Sequence, residues 1–354
     1  MTTPAASAET LLDVHDLAVS FATEDGVVRA VDGVSFTLAP DEILAIVGES
    51  GSGKSVSVMT LMGLTRGVNA RFDGSATFRG TDLIKASDEQ LRHIRGAEIA
   101  MIFQDPMTSL DPVYKVGDQI VEQIQAHNSV PKAEARDRTI ELLERVGIPR
   151  ARERVDAYPH EFSGGMRQRA MIAMALSCDP SILIADEPTT ALDVTIQAQI
   201  LEQIKELRDR THTAVILVTH DLGVVADVAD RIAVMYGGRI VEQGTIDQIF
   251  YDPQHPYTWG LLGSITRVDR PRPERLAAIP GRPPSLMAPP QGCHFRPRCP
   301  HEFDKCPEIP PLEARVPDAP GHADRCWLTV EEKRRKRQVG EGQIGLKPES
   351  WTAA

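Results

Sequence analysis

The stretch GESGSGKS, Gly48 to Ser55, follows the apolar run Ile43-Leu44-Ala45-Ile46-Val47. A strand, then G-x-x-x-x-G-K-[ST], then a helix is an arrangement that holds phosphate. Gly48, Gly51 and Gly53 let the backbone curl tightly, so that successive N–H groups, those of Ser50 and Ser52 among them, point at one anion. The helix that follows adds its positive N-terminal end. In such a loop Lys54 reaches the β- and γ-phosphates and Ser55 offers a hydroxyl to Mg2+. Further on, SILIADEP is an apolar strand closing on Asp186-Glu187. Carboxylates at the end of a buried strand are costly unless they serve a metal or a reaction. Asp186 is placed to hold Mg2+ through water, and Glu187 to polarise an attacking water. Taken alone, the pair equally suits a helix N-cap after the strand. TAVILVTHDL is a second apolar strand, ending at His220. A lone histidine there is more often structural, but beside the loop and the two carboxylates it fits a sensor of the γ-phosphate.

Positioning these groups requires strands that converge. Residues 11–60 read as strand, turn, strand, strand, then loop and helix, and AEIAMIF (97–103) as a further strand. Residues 115–178 are helical in tone, with apolar residues of KAEARDRTIELLERVGI at helical spacing. TIQAQILEQIKELRDR reads as a helix between two buried strands, and RIAVMYGGRIVEQGT as a hairpin turning at Gly237-Gly238. Apolar strands alternating with helices predict an α/β core with a mainly parallel sheet.

The chain has 354 residues, enough for more than one domain, and a formal net charge of -11, which argues against nucleic acid as the partner. Its apolar runs fall far short of the roughly 18 residues needed to cross a bilayer. The N-terminus MTTPAASAETLLDVHDL lacks a basic segment followed by an apolar one, so no signal peptide is expected, and any membrane crossing falls to other chains. From Arg270 to Pro311 prolines are dense, which predicts a separate module held by something other than a large core; the tail from 331 to 354 is polar and expected to be loose.

EFSGGMRQRAMIAMAL (161–176) brings these motifs together, because it resembles the signature of ATP-binding cassette (ABC) proteins. The chain resembles the ATPase subunit of an ABC transporter over about residues 11–250, in the family's order; the nucleotide-binding domain is expected to span 11–265, with 1–10 as a flexible lead and 105–178 as the helical subdomain. The resemblance implies a RecA-like core with an antiparallel β-subdomain. It also implies ATP contacts at Gly48, Ser50, Gly51, Ser52, Gly53, Lys54, Ser55 and Val56. Phe21 falls where the family stacks an aromatic on adenine, although it also reads as a core strand residue. Gln104 is similar to the Q-loop glutamine, which joins Ser55 and Asp186 at Mg2+; Asp193 is similar to the D-loop aspartate. Catalysis would rest on Glu187, His220, Gln104 and Lys54. Ser163, Gly164, Gly165 and Met166 would meet the nucleotide of a partner, with Met166 departing from the glutamine that many cassettes carry.

A single cassette in the chain implies a second from a sister ATPase, the two closing head to tail over ATP. FQDPMTSLDPVYKVGDQIVEQI, DAYPHEFSGGM and DPQHPYTWGLLGSI are similar to the subfamily serving dipeptide, oligopeptide and nickel importers. That likeness implies two permease subunits, an extracytoplasmic solute-binding protein and a place at the cytoplasmic face of the membrane. Peptide is the expected cargo, with nickel or another small solute as alternative. A non-hydrolysing partner of an active sister ATPase, or a cassette acting on DNA or ribosomes, are the rival classes; Glu187, His220 and the stretch 252–265 weigh against them.

Four of the five cysteines, Cys293, Cys299, Cys306 and Cys326, crowd into the last quarter of the chain, in the module expected at 266–330. Their spacing lacks the C-x2-C pairs of zinc ribbons. Pro300 and Pro307 follow two of them, somewhat as in ferredoxin runs. The resemblance implies a [4Fe-4S] cluster here; zinc and free thiols stay open. Cys178 reads as a buried small residue.

Overall fold

The structure, a computed structural model, describes residues 10–104, 109–189, 194–265 and 279–339. Strands β1 (Leu12–Thr23) and β2 (Gly26–Leu38) are long and rich in β-branched residues, and they pair antiparallel from Leu12 opposite Leu38 to Thr23 opposite Gly26. Strand β3 (Ile43–Val47) is different in kind: all five of its residues are buried, as a central strand covered on both faces must be. It runs into the phosphate loop and helix α1 (Lys54–Leu61). Strand β4 (Ala70–Phe78) returns to the other side of β1, and the short β5 (Thr81–Asp82) completes a four-stranded sheet in the order β2-β1-β4-β5. Helix α2 (Asp88–Ile94), started by a Ser87–Gln90 capping box, leads to β6 (Ile99–Ile102).

The helical part follows as α3 (Val116–His127), α4 (Lys132–Arg145), the single turn α5 (Ala151–Arg154) and α6 (Gly164–Ala175). Strand β7 (Ile182–Asp186), helix α7 (Val194–Thr211) and strand β8 (Ala214–Thr219) come next. The hairpin β9 (Arg231–Tyr236) and β10 (Arg239–Thr245) turns at Gly237-Gly238, both with positive φ. Helices α8 (Ile246–Tyr251) and α9 (Pro256–Ser264) close the cassette, with Pro256 at the first helical position as HPYT suggests. Among the described residues no helix is long and apolar enough to cross a membrane.

Strands β6, β7, β8, β3 and β9 are parallel neighbours, which brings the carboxyl ends of β3, β7 and β8 to one edge. Their side chains alternate between two cores. Ile43, Ala45 and Val47 face the cluster shared with the helices, while Leu44 and Ile46 face the cluster shared with the four-stranded sheet. The expected α/β architecture is therefore present, as is the antiparallel subdomain.

The Pro- and Cys-rich segment is not separate from this sheet. Its strand β12 (Ala323–Asp324) pairs with β10, setting Glu242 opposite Asp324, and β11 (Glu313–Ala314) pairs with β12, extending the sheet to eight strands. The polar tail also departs from expectation over its first nine residues, 331–339, which belong to α10 (Val330–Val339). Ion pairs hold that helix. Lys333 meets Asp324 at 2.6 Å with both side chains fully buried, and Arg334 and Arg337 meet Asp252 at 2.6 and 2.8 Å. Charge pairing leaves no apolar periodicity to read in advance. Cys178 is only partly buried, with Asn128 Nδ2 donating to its sulfur at 3.7 Å.

Candidate nucleotide-hydrolysis site

The phosphate loop needs glycine at both ends for steric reasons. A Cβ on Gly48 would lie 2.1 Å from the carbonyl oxygen of Met235, and one on Gly53, whose φ is +98°, would lie 2.3 Å from that of Ala30. We expect Gly48→Ala to push the loop off β9 and weaken ATP binding by at least about tenfold, read by displacement of a fluorescent ATP analogue; binding unchanged from wild type would show that the loop has room to shift. Lys54 is nearly fully buried, and its Nζ donates to the carbonyls of Gly48 at 2.8 Å and Glu49 at 3.1 Å. Burial pulls its ammonium below the ordinary lysine value, opposed by the carboxylates of Glu187, Asp186 and Glu49. The hydroxyl of Ser52 is buried and has no hydrogen-bond partner among the described residues. An orphan hydroxyl in a glycine-rich loop is suited to an anionic ligand. Val56 packs, partly buried, against the core beneath α1.

The strand ends supply the rest. Ser55 Oγ donates to Asp186 Oδ1 at 2.9 Å across the gap between α1 and β7. Burial pushes the Asp186 carboxyl up; the Ser55 hydrogen bond offsets part of this, and the charge of Glu187 adds to it. Hydroxyl plus carboxylate is a hard oxygen set of the sort that Mg2+ takes. Glu187 stands one residue further, in left-handed backbone at φ +47°, held by its N–H donating to Val218 O at 2.9 Å. That conformation costs a β-carbon-bearing residue roughly 1–2 kcal/mol. It turns the side chain toward Gln104 Nε2, which donates to Glu187 Oε2 at 3.1 Å, and toward His220 Nδ1, 3.5 Å from the same oxygen. Gln104, Glu187 and His220 follow the ends of three different strands, β6, β7 and β8, and only the sheet brings them together.

Ser163 caps α6, its Oγ accepting from Met166 N at 3.3 Å, so Gly164 and Gly165 open the helix at the surface. Met166 turns back and packs, partly buried, on the core. Phe21 lies on β1 opposite Val28 and Ala70, partly buried against the core. Asp193 lies outside the described residues.

The comparisons with known proteins agree with this geometry. A family model described as ABC transporter matches residues 31–190, and one described as oligopeptide/dipeptide transporter, C-terminal region, matches residues 241–306. The oligopeptide transport ATP-binding protein OppD of Salmonella typhimurium is 52% identical over 92% of this chain and 96% of its own. This chain belongs to the ATP-binding subunits of ABC transporters. Within that family it groups with the oligopeptide and dipeptide subunits, since the dipeptide transport ATP-binding protein DppD of Bacillus subtilis is 54% identical over 90% of this chain and 95% of its own. The solved dimeric cassette MJ0796 shares the fold at TM-score 0.60 and 25% identity, covering 66% of this chain and 98% of its own. The chain is an ABC-type ATPase.

The four late cysteines converge. Cys293, Cys299, Cys306 and Cys326 line one cavity, walled by Phe295, Pro310 and Leu328 and edged by His255 and His301. Burial pushes the thiols of Cys299 and Cys326 up to about 12. His294 and His322 turn elsewhere, to Gly237 O at 2.6 Å and Glu242 at 2.8 Å. Among the described residues no group of three His, Cys, Asp or Glu side chains is placed to hold a single metal ion. Sequence reasoning missed two residues that touch the phosphate loop, Tyr257 and Arg298; the HPYT stretch pointed at the first, and nothing in the sequence pointed at the second.

Proposed function

We propose that this subunit hydrolyses ATP to drive import of di- or oligopeptides. The joined matches carry this reading: hydrolysis motifs followed by a C-terminal region shared with oligopeptide and dipeptide transporters, in a chain that an oligopeptide-transport relative matches almost end to end. In this reading Lys54, Ser52 and the loop amides bind the triphosphate, and Val56 and Phe21 border the nucleotide, the latter against adenine. Ser55, Asp186 and Gln104 would hold Mg2+, which would supply charge neutralisation at the triphosphate. Glu187 accepts hydrogen bonds from Gln104 and lies beside His220, so its carboxylate is oriented to take a proton from water while His220 reads the γ-phosphate. Ser163, Gly164, Gly165 and Met166 of this chain close over the nucleotide held by a second cassette, with Asp193 at the seam; the dimeric state of the MJ0796 cassette supports such a pair. We assign that second cassette to a sister ATPase, and the membrane path to two permease subunits and an extracytoplasmic solute-binding protein, with this chain on the cytoplasmic face. Reconstitution of the assembly in vesicles and measurement of ATP-dependent uptake tests the cargo. Labelled peptide accumulates if the reading holds; accumulation of nickel and not peptide would replace it.

We also propose that the cysteine cavity holds a [4Fe-4S] cluster. Four sulfur donors in an apolar pocket fit an iron–sulfur group. The cluster would act as a staple for a segment poor in apolar core. Anaerobic purification followed by iron, sulfide and zinc analysis is expected to give about four irons per chain; zinc alone or no metal would overturn the assignment and leave the ATPase reading intact.

A further inference from the structure

Glu49 sits inside the phosphate loop, and each of its polar groups is engaged. Its N–H donates to Tyr257 Oη at 2.9 Å, and its carbonyl accepts from Lys54 Nζ at 3.1 Å. Its carboxylate takes both arms of Arg298, Nη1 to Oε2 at 2.6 Å and Nη2 to Oε1 at 3.0 Å. Arg298 comes from far along the chain, next to Cys299, and its side chain is only 5% exposed. Its remaining donors are fixed as well: Nε to Pro280 O at 2.9 Å, Nη2 to Ile279 O at 3.1 Å and Nη1 to Tyr236 Oη at 3.3 Å. Tyr236, Tyr257 and Phe295 pack ring to ring beside it, and Phe295 also walls the cysteine cavity. The segment that carries the cysteines thus also grips the first turn of the phosphate loop.

A carboxylate in a loop built to receive a triphosphate is an electrostatic liability. A bidentate guanidinium both fixes its direction and cancels its charge. We propose that Arg298 is a positioning residue for ATP binding: through Glu49 it holds the carbonyl on which Lys54 rests, and it masks a negative charge that would repel the incoming phosphates. The alternative is a docking contact that merely joins the C-terminal segment to the cassette. The two differ in sign when both charges are removed.

The test uses the full chain and a fluorescent ATP analogue, with thermal melting recorded on the same samples. Arg298→Gln is expected to raise the Kd for ATP about tenfold at low salt, with the loss shrinking as salt screens the exposed carboxylate. The double variant Glu49→Gln/Arg298→Gln is expected to recover most of that affinity, even where its melting temperature stays low. An Arg298→Gln Kd equal to wild type, or a double variant no better than the single, would overturn the proposal and leave a docking contact. Arg298→Lys keeps the charge and loses the fork, and it serves where Arg298→Gln does not fold. An affinity loss of about threefold at low salt that vanishes at high salt supports the proposal; no loss, or one indifferent to salt, overturns it.

Discussion

Glu187→Gln, studied in the assembled transporter, is expected to lower steady-state ATP turnover by at least about a hundredfold. The amide keeps the size of the side chain but cannot take a proton from water. Nucleotide binding should survive, because Lys54, Ser55 and Asp186 are untouched and the Ser55–Asp186 contact at 2.9 Å does not involve Glu187. The variant should therefore accumulate with ATP bound and the cassettes closed. Phosphate release measures the first effect, and nucleotide retained through gel filtration the second. The magnitude follows from geometry: one carboxylate oxygen meets Gln104 at 3.1 Å and His220 at 3.5 Å, so the chain holds a single, oriented base there. Turnover equal to wild type would mean that hydrolysis occurs only at the sister cassette's site, and it would revive a nucleotide-gated, non-hydrolysing role for this subunit.

The second large effect is on stability. Lys333→Met removes one partner of an ion pair whose side chains are both fully buried, leaving Asp324 without its 2.6 Å contact. Asp324 retains Arg315 at 3.3 Å and the N–H of Cys326 at 2.9 Å, but its Oδ2 already lacks a partner among the described residues. Breaking a buried pair from one side costs about 3–5 kcal/mol, because an uncompensated charge stays inside. Chemical denaturation should show that loss in the segment that includes β12 and α10. Replacing both residues, as in Asp324→Leu/Lys333→Met, is expected to recover much of it. A Lys333→Met variant within about 0.5 kcal/mol of wild type, the range of ordinary surface changes, would mean that water reaches Asp324 and that the pair is not the lock it resembles.

Different parts of this molecule were legible to different degrees. Gly48–Ser55, Asp186-Glu187 and His220 announced themselves because phosphate chemistry constrains residue type and spacing locally, and each sits at the end of a strand whose apolar run is visible in the chain. The hairpin at Gly237-Gly238 and the Pro256 start of α9 were read from turn and helix-start chemistry in the same way. Helix α10 carried no such signal, because its hold on the protein is charge pairing with Asp324 and Asp252 rather than an apolar stripe.

What the sequence determined by itself was the inventory: a phosphate loop, a carboxylate pair, a signature helix and four cysteines whose joint purpose their spacing left open. What only the tertiary structure decided was adjacency. The parallel sheet sets Gln104, Glu187 and His220 around one oxygen. The return of the chain past residue 279 attaches β12 to β10, gathers the four cysteines on one cavity and lays Arg298 on Glu49. These contacts join residues tens to hundreds of positions apart. Their closure entropy is offset by two shared cores and a common sheet rather than by local propensity, so no short window of sequence could have revealed them.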